Sequence, residues 1–430
     1  MQAKTELSLQ SDNEASSITN YQPLFTPCYY NGELHVAIRS YDCDGLSYYL
    51  LVNPNTLTTQ IVLKGDIQHR KPSASLCEIG YYTKEEIEKT PYGLALKHIM
   101  QSSHHITNDG ITHSMCEHEP NQVFLTIDLC PSNKLFEKDF FEKLVSIGVS
   151  LGKPTPIAIC ITEFWRTTHK KEFEWLLEQQ KAETLQITWV NHGATHVYYH
   201  DYASSELLKY NFLLDTRTNL FFEFFEIEKA LIMHGQVPSV FFRAPGLVTN
   251  EKLMKKLNKC GLITLGADAW LAKGEQPSSG SIVLVHGNSN EPAGIKKIME
   301  IIETDECTFL PLQQAFPAPD KVTDYLASIQ LKELDSGEQT DDEAEKQLAE
   351  KTRECISSGP SFWKKPPHSS PGTRVAKDFK DSQQRLILFR ELKDSKYAIT
   401  QHRDPYNPQS VSLKVQLPTI QSVAVEMPVT

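Results

Sequence analysis

No stretch of this 430-residue chain is apolar for long enough to cross a bilayer, and even the aromatic run 220–225 is broken by Glu223. A basic surplus is absent as well. The formal net charge of -11 argues against a nucleic-acid binder, because phosphate recognition needs a concentrated basic surface. Met1 to Asn13 lack the apolar stretch of a secretory leader, so a cytoplasmic location or a non-standard export route is expected. No CxxC occurs. The nine cysteines, Cys28, Cys43, Cys77, Cys116, Cys130, Cys160, Cys260, Cys307 and Cys355, are odd in number and scattered, which favours free thiols over a disulfide scaffold. What remains is an ordinary globular balance, 40% hydrophobic and 23% charged, in a chain long enough for two or three domains.

Residues 1–20 are polar and expected to fray. Short β-like runs follow at 34–39, 47–52 and 58–63, punctuated by the turn signals Asn31-Gly32, Asp44-Gly45 and Asn53-Pro54-Asn55. Residues 85–89 and 94–100 read as short helices, while 104–119 is dense in His, Asp and Asn without periodicity.

From Val123 the rhythm changes. Compact apolar runs at 123–129, 156–161, 185–190, 239–243, 262–265, 282–285 and 309–312 alternate with helical spacing at 136–151, 171–181, 219–234, 249–259 and 294–302. Thr249 and Asn250 supply a cap signal before 251. Apolar strands alternating with helices mean a parallel sheet, buried on both faces or closed into a barrel. Past about Asp324 comes the charge-rich 333–351, then the Ser/Pro/Gly-rich 357–372, then strand-like 385–390, 397–401 and 411–417. The expected division is a flexible 1–20, a β-rich extension 21–120, a barrel 121–325, a linker 326–375 and a β-rich segment 376–430.

Polar groups sit where the apolar runs end. Asp128 closes the first, His192 and His196 follow a later one in Asn191-His192-Gly193-Ala194-Thr195-His196, and Arg243 closes another in Arg243-Ala244-Pro245-Gly246. Asp268 and Trp270 follow the next, and His286 ends the last in Leu284-Val285-His286. In a parallel barrel that end of the strands is where active sites assemble.

These five segments, in this order, resemble the five motifs of the polysaccharide deacetylase family (carbohydrate esterase family four), over roughly 200 residues. The resemblance implies an α/β fold, a distorted (β/α) barrel of about seven parallel strands, here with N- and C-terminal β-rich extensions. It implies that Asp128 is the general base and that Arg243 orients and charge-balances it. His192 and His196 become ligands of a divalent metal, zinc by preference, and His286 the general acid held by Asp268. Trp270 and Pro245 are assigned to substrate contact. The Asp268–Trp270 match has a one-residue change of spacing. The chief departure is Leu129, which stands where the family has a metal-ligating Asp. Asp128 itself, a water or Cys130 could fill that place, and a barrel without metal is a fourth outcome.

The chemistry explains the residue types. Acetamide hydrolysis needs a nucleophilic water, a polarised carbonyl and a proton for the departing amine. A cation on two neutral imidazoles serves the first two, a carboxylate takes the water's proton, and a protonated imidazole serves the third. The implied activity is removal of acetyl groups from N- or O-acetylated glycans. Alternatives are a non-catalytic carbohydrate-binding barrel and a related hydrolase of a small amide. The HxxxH spacing lacks the Glu of a zinc-protease helix, and Glu291 replaces the second Gly of a nucleophile elbow in 287–291. His113, Cys116 and His118, and likewise His104-His105, are read as structural or solvent-facing, the run 221–225 as core, and Trp363 as a linker residue on the surface.

Overall fold

The computed structural model describes residues 17–68, 84–101, 107–198, 211–304, 306–323, 325, 398–404 and 407–416. The chain divides into two compact units after Lys364. The expected linker segments 333–351 and 357–372 and the strand-like run 385–390 lie outside the described residues, as do His104, His105 and Trp363.

The first unit opens with an antiparallel sheet of β1 (Ile18–Tyr30), β2 (Glu33–Cys43), β3 (Leu46–Val52) and β4 (Thr59–Leu63), paired in that order. Both residues of the Asn31-Gly32 turn and of the Asp44-Gly45 turn have positive φ, the mirror-image hairpin geometry that matches strand twist. Strand β1 is not expected from the sequence, because Pro23 and Pro27 break its pattern. It tolerates them as an edge strand with two register shifts against β2. Two helices follow, α1 (Lys84–Glu88) and α2 (Pro91–Gln101).

The parallel sheet comprises β5 (Gln122–Leu129), β6 (Thr155–Ile161), β7 (Leu185–Asn191), β8 (Phe241–Arg243), β9 (Ile263–Leu265), β10 (Ala269–Trp270) and β11 (Ile282–His286). The spatial order is β10-β11-β5-β6-β7-β8-β9, and the short β12 (Thr308–Phe309) also pairs with the start of β5. All these pairings are parallel. The sheet curls into a half-barrel, the distorted (β/α) barrel that the alternation of strands and helices leads one to expect.

The intervening helices are α3 (Lys138–Leu151), α4 (Glu163–Thr168), α5 (Lys170–Lys181), α6 (Leu220–Met233), α7 (Glu251–Lys259) and α8 (Pro292–Glu303). Thr162, Asn219 and Asn250 cap α4, α6 and α7, each accepting the backbone N–H three residues on. No helix among the described residues is long and apolar enough to cross a membrane. The seven cysteines among the described residues are free thiols.

Alternation along β5 decides what each face buries. Val123, Leu125, Ile127 and Leu129 join Phe141, Leu144, Ile298 and Ile301 in the outer layer. Phe124 faces the other way and joins the barrel interior with Val190, Phe241 and Leu284, where Phe316 stacks on Phe241 at 5.5 Å. The edges β9 and β10 are not joined to each other. Residues 107–115 lie across the gap: Ile111 bridges to Leu265, and His113 to Ser281 just before β11. That use of single bridges explains why the segment carries no periodicity.

One buried ion pair ties the antiparallel sheet to the barrel. Arg39 on β2 donates from Nε and Nη2 to Glu228 on α6 at 2.7 and 2.9 Å, and Tyr21 donates to the same carboxylate at 2.7 Å. Arg39 is wholly buried and also donates to the Cys260 carbonyl. Removing one member of such a pair strands a buried charge. Arg39→Met is therefore expected to lower unfolding free energy by about 3–5 kcal/mol in urea titrations. Adding Glu228→Gln, which removes the stranded charge but keeps an acceptor for Tyr21, should restore part of that loss.

Candidate active site

The site is built at the carboxyl ends of β5, β7, β8 and β11. Asp128 and His286 are direct register partners on neighbouring strands, so a carboxylate and an imidazole stand side by side at the mouth. Both are buried, as are Cys130, His192 and Arg243.

Arg243 organises this cluster twice. Its Nη2 donates to Thr126 Oγ1 at 2.9 Å, two residues before Asp128 on the same face, and its Nη1 lies 3.8 Å from Asp128 Oδ1. Its backbone carbonyl lies 2.9 Å from His192 Nδ1. A carbonyl can only accept, so Nδ1 carries the hydrogen and Nε2 is the ring nitrogen turned toward Asp128 and Cys130. That Nε2 lies 3.8 Å from Asp128 Oδ2 and 3.3 Å from Cys130 Sγ. Asp128 Oδ1 and Arg243 Nε and Nη1 are buried with no hydrogen-bond partner among the described residues. Asp128 Oδ1 and Arg243 Nη1 face each other at ion-pair distance, and buried polar atoms short of hydrogen bonds are what a bound water or ion would satisfy.

His196 lies beyond a tight turn, with its ring edge-on to His192 at 5.1 Å and to Phe212 at 5.1 Å. The turn depends on Gly193, whose φ of +80° suits glycine and whose added Cβ would meet Glu223 Oε2 at 3.1 Å. Glu223, from the aromatic run on α6, is buried and accepts the N–H groups of Ala194 and Thr195 at 2.7 and 3.0 Å and the Thr195 hydroxyl. Pro245 packs on the same loop, since its Cγ is 3.4 Å from the Gly193 Cβ position.

The structure departs from the sequence reading at Asp268. The family resemblance gives that carboxylate to His286, but it lies at the start of β11, accepting the Ile282 N–H at 2.9 Å and bonding Ser281 and His113. Strand β11 separates it in sequence from His286 at the strand's other end. The carboxylate beside His286 is Glu291, whose Oε2 lies 2.8 Å from His286 Nδ1 in a contact less straight than a full hydrogen bond. Trp270 donates from Nε1 to the same oxygen at 2.6 Å. Glu291 follows a turn with no periodic signal. The clue available in the sequence was only that an acid lies five residues beyond His286, within reach of a chain that turns back. In the second histidine cluster, His118 Nε2 lies 2.6 Å from Ser114 Oγ and 3.5 Å from Cys116 Sγ, while His113 faces Asp268.

Charge at the mouth follows from these contacts. Burial pushes the Asp128 carboxyl up, and Arg243, then His192 and His286, outweigh it and hold it below the usual range. Burial alone would lower His286, but the charges on Cys130 and then Glu291 hold it well above an ordinary imidazole. Burial would raise the Cys130 thiol, and His196, His192 and His286 together bring it well below its usual value. These contacts favour the ionised form of the Asp128 carboxylate and the charged form of the His286 imidazole.

Two sets of ligand types converge closely enough to hold one ion: Cys130, His192 and His196, and Asp128, Cys130 and His286, with ligand atoms in each set within 4.8 Å of one another. Two neutral-capable imidazoles with one ring nitrogen already oriented are the donors a zinc-like cation takes, so the residues present fit such an ion. Glu223→Ala should leave the Ala194 and Thr195 N–H groups without acceptors, at about 1–3 kcal/mol each. Hydrogen exchange is expected to show both amides deprotected while the β5 amides keep their protection.

Comparison with known proteins gives two results. The family model described as RP012 protein N-terminal domain matches residues 19–93, the antiparallel sheet and the segment after it. Among solved structures, a family 4 carbohydrate esterase from Bacillus anthracis is similar at 16% identity, over 54% of this chain and 92% of that one, with a TM-score of 0.33. The chitin deacetylase of the fungal pathogen Colletotrichum lindemuthianum gives 13% identity, 49% and 96% coverage and a TM-score of 0.33. A family 4 pseudoenzyme from Bacillus anthracis gives 13% identity, 45% and 65% coverage and a TM-score of 0.29.

Proposed function

We propose that this protein is a metal-dependent hydrolase that removes acetyl groups from N-acetylated, or O-acetylated, glycans. The observation that carries the reading is the convergence of Asp128, His192, Arg243 and His286 on one mouth, with Asp128 and Arg243 leaving buried polar atoms open there. The order of the five sequence motifs supports the same reading.

His192 and His196 would hold the cation. When bound there, a divalent ion such as zinc supplies Lewis acidity toward the acyl oxygen and toward the nucleophilic water. Asp128, kept ionised by Arg243, takes a proton from that water as its oxygen bonds to the acyl carbon. His286 gives its proton to the sugar nitrogen as the carbon–nitrogen bond breaks, leaving acetate and a free amine. Glu291 orients the imidazole and favours its charged form, and Trp270, hydrogen-bonded to Glu291, presents an aromatic face beside it. The ring centroids of Trp270 and His286 are 6.3 Å apart, so an acetyl methyl or a sugar face brought to His286 would also meet the indole.

A second reading, a glycan-binding barrel without turnover, draws on one feature: Leu129 is packed in the outer apolar layer and offers no ligand. Under it, acetylated oligosaccharides bind but release no acetate.

Acetate release from N-acetylglucosamine oligomers separates the two. Turnover should vanish on chelation, return with zinc, and fall about 10²–10⁴-fold in Asp128→Asn and His192→Ala. Undiminished turnover in either variant removes the mechanism. A pH profile gives a finer check. His286 must be protonated to act, and Glu291 helps keep it so as pH rises, so Glu291→Gln should move the alkaline limb of kcat to lower pH. The acid limb, set by Asp128, should stay in place.

A further inference from the structure

We infer that Cys130 is the third protein ligand of the cation, completing a Cys130–His192–His196 set in place of the carboxylate the family resemblance would put at residue 129. The inference rests on the metal-dependent reading of the same site and adds its ligand set and metal preference.

Strand alternation is the first argument. Residues two apart point to one side, so Asp128 and Cys130 share the mouth while Leu129 points into the outer layer. Leu129 is buried beside Gly287 and among Phe141 and Ile161, and cannot turn inward without leaving a void there.

Distance is the second. Zinc bonds of about 2.3 Å to sulfur and about 2.0 Å to nitrogen, meeting at a tetrahedral angle, place the two donors roughly 3.6 Å apart. Cys130 Sγ lies 3.3 Å from His192 Nε2, and both lie within 4.8 Å of a His196 ring nitrogen. A small adjustment of side chains suffices.

The ligands are also held from behind. The Arg243 carbonyl fixes the His192 tautomer. Asn288, fully buried in the loop after β11, donates from Nδ2 to the Cys130 carbonyl at 2.6 Å and pins the backbone from which the thiol projects. Outer contacts of this kind set ligand orientation in metal sites. Three protein ligands leave a fourth tetrahedral position open, as catalytic sites require. A thiolate among them favours zinc, cobalt or iron(II) over magnesium, manganese or calcium.

The same sulfur also lies within 4.8 Å of a His286 ring nitrogen, so a thiol acting as nucleophile beside an imidazole is the competing role. Cys130→Asp separates the roles, since a carboxylate can ligate but cannot act as a thiol.

The test is cobalt(II) titration of the metal-stripped full chain, read by absorption. One equivalent should produce the visible bands of four-coordinate cobalt together with a near-ultraviolet thiolate-to-cobalt charge-transfer band. Cys130→Ser should lose the near-ultraviolet band and bind cobalt at least about 10-fold more weakly, given that loss of an outer partner alone costs about 10–100-fold. Cys130→Asp should regain cobalt affinity and visible bands without the near-ultraviolet band, and recover acetate release above the level of Cys130→Ser. Visible bands at full occupancy without the charge-transfer band in the unaltered protein would overturn Cys130 while leaving the metal-dependent reading standing. So would a charge-transfer band that persists in Cys130→Ser. Cobalt-replete Cys130→Asp without turnover would assign the thiol to nucleophilic attack instead. No cobalt binding at all would overturn both this inference and the function on which it rests.

Discussion

Arg243 is a fully buried cation, and the site depends on how that charge is accommodated. Its guanidinium faces Asp128 and bonds Thr126, while its backbone orients His192. A charge in the barrel interior is tolerable only with a counter-charge, and Asp128 supplies it. In return Arg243 favours the ionised form of Asp128 despite burial, the state that the proposed role of general base needs. Carboxylate, counter-ion and imidazole tautomer are therefore one coupled arrangement, not three independent placements.

Helix α6 carries the coupling outward. Glu223 faces the loop that bears His196, and Glu228, little more than a turn further on, accepts from Arg39, Tyr21 and Asn191. Asn191 is the residue before His192. The antiparallel sheet is thus connected through one helix to the strand end that holds an imidazole. Burying two acids on an otherwise aromatic helix face makes sense only because each has a fixed set of donors.

Much of this arrangement was legible in the sequence. Parallel strands covered on both faces are plain apolar runs, so β5 to β9, β11 and helices α3 and α5 to α8 stand out within about two residues, and Asn250 caps α7 as its type suggests, whereas the two-residue β10 and the six-residue α4 are too short to carry a period. Asp128, His192, His196, Arg243 and His286 stood out because strand ends are where a parallel sheet presents polar groups. Other features left weaker traces. Strand β1 hides behind two prolines that only an edge position tolerates. Glu223 and Glu228 read as interruptions of a core helix, and their roles require knowing what lies opposite. Motif order alone points Asp268 at His286, whereas Glu291 reaches it because the chain turns back after β11. Cys130 could have been preferred from the start: a period of two puts it, and not Leu129, on the side of Asp128.

The account's central claim is that His192, His196 and their neighbours at the mouth of the half-barrel hold one divalent ion beside Asp128. Anomalous diffraction at the zinc edge from zinc-grown crystals tests it most directly. The predicted result is a single strong peak within bonding distance of both imidazoles, with the Asp128 carboxylate close by and unligated. A map with no peak there, or with the two imidazoles turned away from each other, would contradict it.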